Sequence, residues 1–241
     1  ILRDHYFQNI ARYVREGGAF LEASGPAYAS EDSIYYTALS EILPSTPNGD
    51  VFNTRFTPQL TAQGQNHPVT RSLVIQNKNA EALNWGAWQR QIGLDSVQGD
   101  TLMNGLSNKP LLILNRVDEG RVAQIASDHI WMWSRGIDGG GPHAEFLRRV
   151  VHWLMKEPEL DELALDVRAD GQNLILRRAG FARTRDVVTM TNPEGAREEL
   201  VLEKNESGIL EHIHRASQNG IYKFETTDGY TRFVVAGDVD P

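Results

Sequence analysis

The run Tyr6-Phe7-Gln8-Asn9-Ile10-Ala11-Arg12-Tyr13-Val14-Arg15-Glu16-Gly17-Gly18-Ala19-Phe20-Leu21-Glu22-Ala23 changes its period once, and that change sets the fold expectation. Phe7, Ile10, Ala11 and Val14 stand at i, i+3, i+4 and i+7, the spacing of one apolar helix face. Asp4 is placed to cap that helix. Gly17-Gly18 ends it, because glycine enters the left-handed conformation after a last turn without a Cβ clash. Residues 19–23 then read as a short buried strand. Helix, glycine stop and buried strand make half of a parallel α/β unit, with the strand that would precede the helix missing or lying before Ile1.

Outward from this run the signal weakens and then returns. Residues 24–109 are rich in turn formers (Gly25-Pro26, Pro44, Pro47-Asn48-Gly49, Asn66-His67-Pro68), with a short helix expected near 38–42 and a strand near 73–75. Residues 111–117 and 121–126 are β-rich and predict a hairpin whose three-residue loop, Asp118-Glu119-Gly120, carries glycine third. Pro142 suits the first turn of a helix. Phe146, Leu147, Val150, Val151 and Leu154 give that helix its apolar stripe as far as Lys156. Beyond Glu162 the pattern alternates. Segments near 163–169, 173–178, 187–191, 198–203, 208–214, 220–226 and 231–236 read as strands, and about seven strands with turns every 8–12 residues predict a small sandwich. All five Trp precede residue 154, so the sandwich lacks the buried Trp of an antibody domain. The expected fold is therefore an α/β domain over residues 1–160 followed by an immunoglobulin/fibronectin-like β-sandwich over 161–241.

Bulk properties exclude several function classes. The 241 residues carry a formal charge of −8, with 14 Lys+Arg against 17 Asp+Glu in residues 1–160 and 10 against 15 in the remainder. Two mildly acidic halves argue against a nucleic-acid footprint and against a polybasic membrane patch. Zero cysteine removes disulfides, thiolate metal sites and thiol nucleophiles. No apolar run approaches the roughly 18 uncharged residues of a membrane helix. The opening Ile1-Leu2-Arg3-Asp4, without an initiator Met, reads as a piece of a longer protein.

From Tyr13 through Gly17-Gly18-Ala19-Phe20-Leu21-Glu22-Ala23-Ser24-Gly25-Pro26 the chain resembles the class I glutamine amidotransferase-like superfamily. It is more narrowly similar to the amidotransferase-like domains of large bacterial membrane proteins of unknown function. His67-Pro68-Val69-Thr70, Gly120-Arg121-Val122-Ala123, the run from Asp128 to Gly136, and Gly141-Pro142-His143 leading to His152-Trp153-Leu154-Met155 carry the same likeness. The resemblance implies a flavodoxin-like α/β fold. It also implies a nucleophile on a tight Gly-x-Cys-x-Gly turn beside backbone N–H groups that hold an oxyanion. Matched to that pattern, Leu21 replaces the first glycine, Ala23 the cysteine, and Gly25 keeps the last glycine. The superfamily's His-Pro-Glu pair falls on His129-Ile130-Trp131, which keeps the histidine and loses the acid. Catalytic residues of the family type are thus not expected, and neither is glutaminase activity by the family mechanism.

Ser24, with His129 and Asp128, is the weak substitute. Strand alternation turns Ser24 away from the face of Ala23, and neighbours on an extended segment rarely face one another. Ser24-Gly25-Pro26 reads more plainly as a turn. Trp131, Trp133, Arg135 and His143 are candidate ligand-binding residues, an aromatic and cationic wall at the end of a strand, where open α/β sheets bind ligands. The plainer alternative is that both tryptophans pack. His212 and His214 share a strand face without a third ligand, and Gly139-Gly140-Gly141 lacks the Lys and Ser/Thr of a phosphate loop. No metal or cofactor is expected.

The expectation is a non-catalytic ligand-sensing or protein-interaction module, with a protein or small ligand as partner and no nucleic acid. The piece itself would not enter a membrane. It would be the soluble part of a membrane-anchored bacterial inner-membrane protein, the periplasmic side favoured. The alternatives are a Ser24 hydrolase and a glycan-binding module using Trp131 and Trp133.

Overall fold

The computed structural model of the protein describes residues 3–75, 85–157, 165–179, 184–205, 209–227 and 229–237. The chain forms two compact units, Ile1–Leu160 and Asp161–Pro241.

The first unit runs α1 (Asp4–Arg15), β1 (Ala19–Ala23), β2 (Thr46–Phe52), β3 (Gln59–Leu60), α2 (Ala62–Asn66), α3 (Arg71–Ile75), β4 (Gln91–Asp95), β5 (Asp100–Asn104), β6 (Pro110–Val117), β7 (Gly120–Ile125), α4 (Trp131–Ser134) and α5 (His143–Leu154). Short 3-10 turns fill much of the stretch between β1 and β2. Helix α1 buries Ala11 and Val14, and Gly17 turns the chain at φ +109°. Its N-cap is Arg3, without a side-chain bond, so Asp4 is not the cap. As the first helical residue it faces the positive end of the helix dipole instead.

Five strands form one sheet in the order β1-β7-β6-β5-β3. Only β1 and β7 run parallel; the other neighbours are antiparallel, and β2 with β4 makes a separate antiparallel pair. This corrects the flavodoxin-like expectation, since that fold needs a parallel sheet throughout. The physical reason is connection length. Parallel neighbours need a crossover of about a dozen residues or more, whereas β5, β6 and β7 follow one another through short links. Mixed α/β content remains, but strand dominates. The segment near 73–75 is also corrected: it belongs to helix α3.

Gly120 occupies a different role from the one its position suggested. Val117 pairs with Gly120, so the hairpin loop is only Asp118-Glu119, and the left-handed residue is Asp118 at φ +48°. A Cβ on Gly120 would lie 1.8 Å from the carbonyl oxygen of Val14. Glycine is required there because α1 crosses the strand at backbone contact. The glycines before α5 serve packing as well. Gly140 O accepts from Gly86 N at 2.5 Å, and a Cβ on Gly141 would lie 2.5 Å from the Trp133 ring.

The second unit runs β8 (Asp166–Asp170), β9 (Asn173–Ala179), β10 (Arg185–Thr191), β11 (Arg197–Lys204), β12 (Ile209–Arg215), β13 (Gly220–Thr226) and β14 (Thr231–Ala236). All seven lie in one antiparallel sheet, ordered β14-β13-β10-β11-β12-β9-β8. The sheet curls until β14 lies against β8, a nearly closed barrel. The expected two-sheet sandwich is therefore corrected as well. Alternation reports only that one face of each strand is buried, which holds for sandwich and barrel alike. Leu174, Leu176, Val188, Leu202, Leu210, Tyr222 and Phe224 fill the interior. Arg178 and Asp186 form a buried ion pair, with the Arg178 guanidinium over the Tyr230 ring. Between β14 and β8 no ladder forms among the described residues; Arg232 Nε donates to Leu165 O at 3.0 Å across the gap.

Candidate functional site

The parallel pair β1/β7 brings two chain segments to one edge. At its C-terminal end β1 leads into Ser24-Gly25 and β7 into the run from Ala126 to Ile130. Alternation along β1 divides the residues of interest. Ala23 is exposed, whereas Glu22 and Ser24 are buried, Ser24 completely. The register sets Glu22 opposite Gln124. Their side chains build a buried polar network: Ser24 Oγ donates to Glu22 Oε2 at 2.6 Å, and Gln124 Nε2 donates to the same oxygen at 3.1 Å. Gln124 Oε1 in turn accepts from Ser45 Oγ at 2.5 Å, and Ser45 O accepts from Tyr28 Oη at 2.7 Å.

Burial dominates the electrostatics of this network. Desolvation raises the Glu22 carboxyl from 4.5 to about 7, against the lowering effect of the hydrogen bonds from Ser24 and Gln124. The Tyr28 hydroxyl is pushed up to about 12, again by burial first. Glu22 is thus a buried acid whose proton is exchanged near neutrality.

A second cluster lies at the surface beside Gly25. A Cβ there would sit 3.3 Å from Asp128 Oδ2. Asp128 is held by Arg90 at 3.0 Å, and Arg90 Nε reaches Asn53 Oδ1 at 3.2 Å. Ser127 Oγ donates to Arg90 O at 2.6 Å and accepts from His129 N at 3.1 Å, tying the two loops together. His129 Nδ1 accepts from Gln89 N at 3.4 Å, and its Nε2 stands 3.7 Å from Asp128 Oδ1. Burial lowers the His129 pKa, Asp128 opposes that shift and Arg90 adds to it, so the ring is neutral at pH 7.

The structure therefore separates the residues of the substitute triad. Asp128 and His129 are neighbours at the surface, while the Ser24 hydroxyl points into the interior and engages Glu22. The aromatic pair is separated too. Residues 131–134 form the short helix α4, in which positions two apart point about 200° apart around the axis. Trp131 stays half exposed, edge-on to His129 with ring centroids 6.1 Å apart. Trp133 is buried against Trp85, Trp88 and Phe146, its Nε1 donating to Gly86 O at 2.7 Å. Arg135 follows α4 and is exposed; His143 opens α5 and is half-buried. Neither has a side-chain hydrogen bond to Trp131 or His129, and the four residues form no single wall. His212 Nδ1 lies 2.9 Å from Val201 O rather than in a ligand set.

Glu22, Gln124, Ser45, Tyr28, Arg90 and Asn53 escaped the sequence reading. Glu22-x-Ser24 inside an apolar strand was the visible signal, because an acid and a hydroxyl two apart on a strand share its buried face.

No family model and no curated protein matches the chain. Among solved structures it is similar to a cytoplasmic protein of Salmonella typhimurium LT2, at 23% identity and a TM-score of 0.45, over 62% of this chain and 60% of that one. A second cytoplasmic protein of Salmonella typhimurium gives 18% identity and 0.48 over 64% and 62%. A β-galactosidase of Rahnella sp. R3 gives 13% and 0.44 over 89% of this chain and 31% of that chain. The chain thus spans about three fifths of the first two, and at TM-scores below 0.5 none of the three assigns it an activity. The first two are described as cytoplasmic proteins, and no helix of the described residues is long and apolar enough to cross a membrane. The expected inner-membrane, periplasmic-side location finds no support in these comparisons and is withdrawn.

Proposed function

We propose that this chain is a non-catalytic relative of the class I glutamine amidotransferases that works by binding, as a ligand-sensing or protein-interaction module. The observation that carries this reading is the elbow at the end of β1. Its nucleophile position presents the exposed methyl of Ala23, and the adjacent hydroxyl of Ser24 is buried and donated to Glu22. A hydroxyl becomes a nucleophile when a base takes its proton along the line of attack. Here the group accepting that proton is Glu22, buried on the same face of the strand as Ser24. The surface cluster of Arg90, Asp128, Asn53 and His129, edged by Trp131, offers donors, acceptors and an aromatic edge for a polar ligand or a partner's loop.

The test is direct. Purified protein incubated with L-glutamine is expected to release ammonia only at the rate of a blank, and a fluorophosphonate is expected to leave it unlabelled. Ammonia above the blank, or labelling that vanishes in a folded Ser24→Ala variant, would overturn the proposal.

A further inference from the structure

A cleft of about 530 Å³ opens in the first unit beside the 3-10 turn at Ala38–Glu41 and the hairpin end of β6. Its lining is polar but electrically balanced. Arg15 and Arg116 are matched by Glu41 and Asp118, with Arg15 paired to Glu41 at 3.0 Å. Neither a phosphate nor a cationic ligand finds an excess of opposite charge there.

Three further lining side chains, Ser96, Gln98 and Asn115, have no hydrogen-bond partner among the described residues. They come from different places: Ser96 and Gln98 from the loop between β4 and β5, Asn115 from β6. Ser96 is held at φ +48°, a left-handed conformation uncommon for a residue with a Cβ. Gln98 is fixed by its backbone N–H, which donates to Pro44 O at 2.7 Å. Beside them Ser45 is buried, its hydroxyl donating to Gln124. Tyr35 supplies an aromatic ring, and its hydroxyl is 2.9 Å from Thr46 Oγ1.

We propose that this cleft binds a small uncharged polyol of monosaccharide size. Side-chain amides each donate and accept, which is what a pair of vicinal hydroxyls also does, so Gln98 and Asn115 match adjacent hydroxyls as forks. The Tyr35 ring offers a surface to the C–H face of a sugar ring. Charge balance discriminates against phosphorylated or amino sugars, whose charge would be desolvated without a partner. The site is distinct from the Arg90–Asp128 cluster and does not rest on the proposed function. Through Ser45 the cleft touches the buried network of Gln124 and Glu22 rather than that cluster.

The experiment is a ¹⁵N-resolved NMR titration of the whole chain with D-glucose, D-galactose and myo-inositol, with D-glucose 6-phosphate and D-glucosamine as charged controls. At least one neutral probe is expected to shift the side-chain amides of Gln98 and Asn115 saturably, with a dissociation constant on the order of 1 mM. Gln98→Ala and Asn115→Ala together should weaken it about tenfold or more, the loss of a pair of hydrogen bonds. Gln98→Ala alone, at an exposed loop position, keeps the test valid should the strand variant misfold. Three results would each sink the idea: no saturable shift with any neutral probe, undiminished binding in folded Gln98→Ala, or tighter binding of a charged control.

Discussion

Glu22 is buried on β1 beside the turn at Ser24-Gly25, and its proton gives the fold a pH dependence that can be isolated. In the unfolded chain this carboxyl ionises near 4.5, and in the folded chain near 7. Below 4.5 both states are protonated, and the contribution to stability is fully present. As pH rises the unfolded state releases its proton first, so stability is lost until pH passes about 7, in total on the order of 3 kcal/mol. Glu22→Gln keeps an acceptor for Ser24 and Gln124 without a charge. It is expected to match the parent at pH 4.5 and to exceed it at pH 8, read as urea midpoints. Midpoints that move in parallel over that range would refute this assignment. The absence of a thiol at residue 23 could be read from the sequence, because it needs only the local pattern. The partnership of Glu22 with Gln124 could not: the two lie 102 positions apart and meet only through the register of β1 against β7.

Among the elements, those whose apolar period is complete within one segment were legible: α1, β1, β6, β7 and α5. Strands β2 to β5 were not, for their apolar runs are short, and Pro47, Gly49 and Gly93 interrupt β2 and β4. Their strand character comes from long-range pairing. The turn of Trp131-Met132-Trp133 into a helix was hidden for the opposite reason. Four residues are too few for period 2 and period 3.6 to be told apart, and that ambiguity joined two tryptophans that the fold separates. Gly120 teaches the same lesson about glycine. Its carbonyl neighbour at Val14 belongs to α1, so Gly120→Ala must push the helix from the hairpin. A destabilisation of about 1–3 kcal/mol is expected from urea denaturation, as for other overpacked contacts. An unchanged midpoint would show that the helix tolerates displacement. Gly49 has open space around it, and Gly49→Ala meets only the smaller strain of its φ of +88°.

For the molecule as a whole, the boundary near residue 160 showed in the sequence as a change of period, but the way each unit closes its sheet did not. Inward and outward alternation fixes which side chains meet, while strand order and curl are decided by partners that no single strand encodes. Zero cysteine and a mildly acidic balance constrain chemistry and partners, yet they say nothing of whether seven strands make one layer or two.

The gap between β14 and β8 has a kinetic consequence. A fully zipped barrel protects all its amides through one cooperative opening, whereas a barrel with an open seam can breathe there first. In deuterated buffer the β14 amides that point away from β13 should therefore exchange long before those shared by β10 and β11 at the centre of the ladder. Uniform protection around the ring would mean that the seam is sealed in solution.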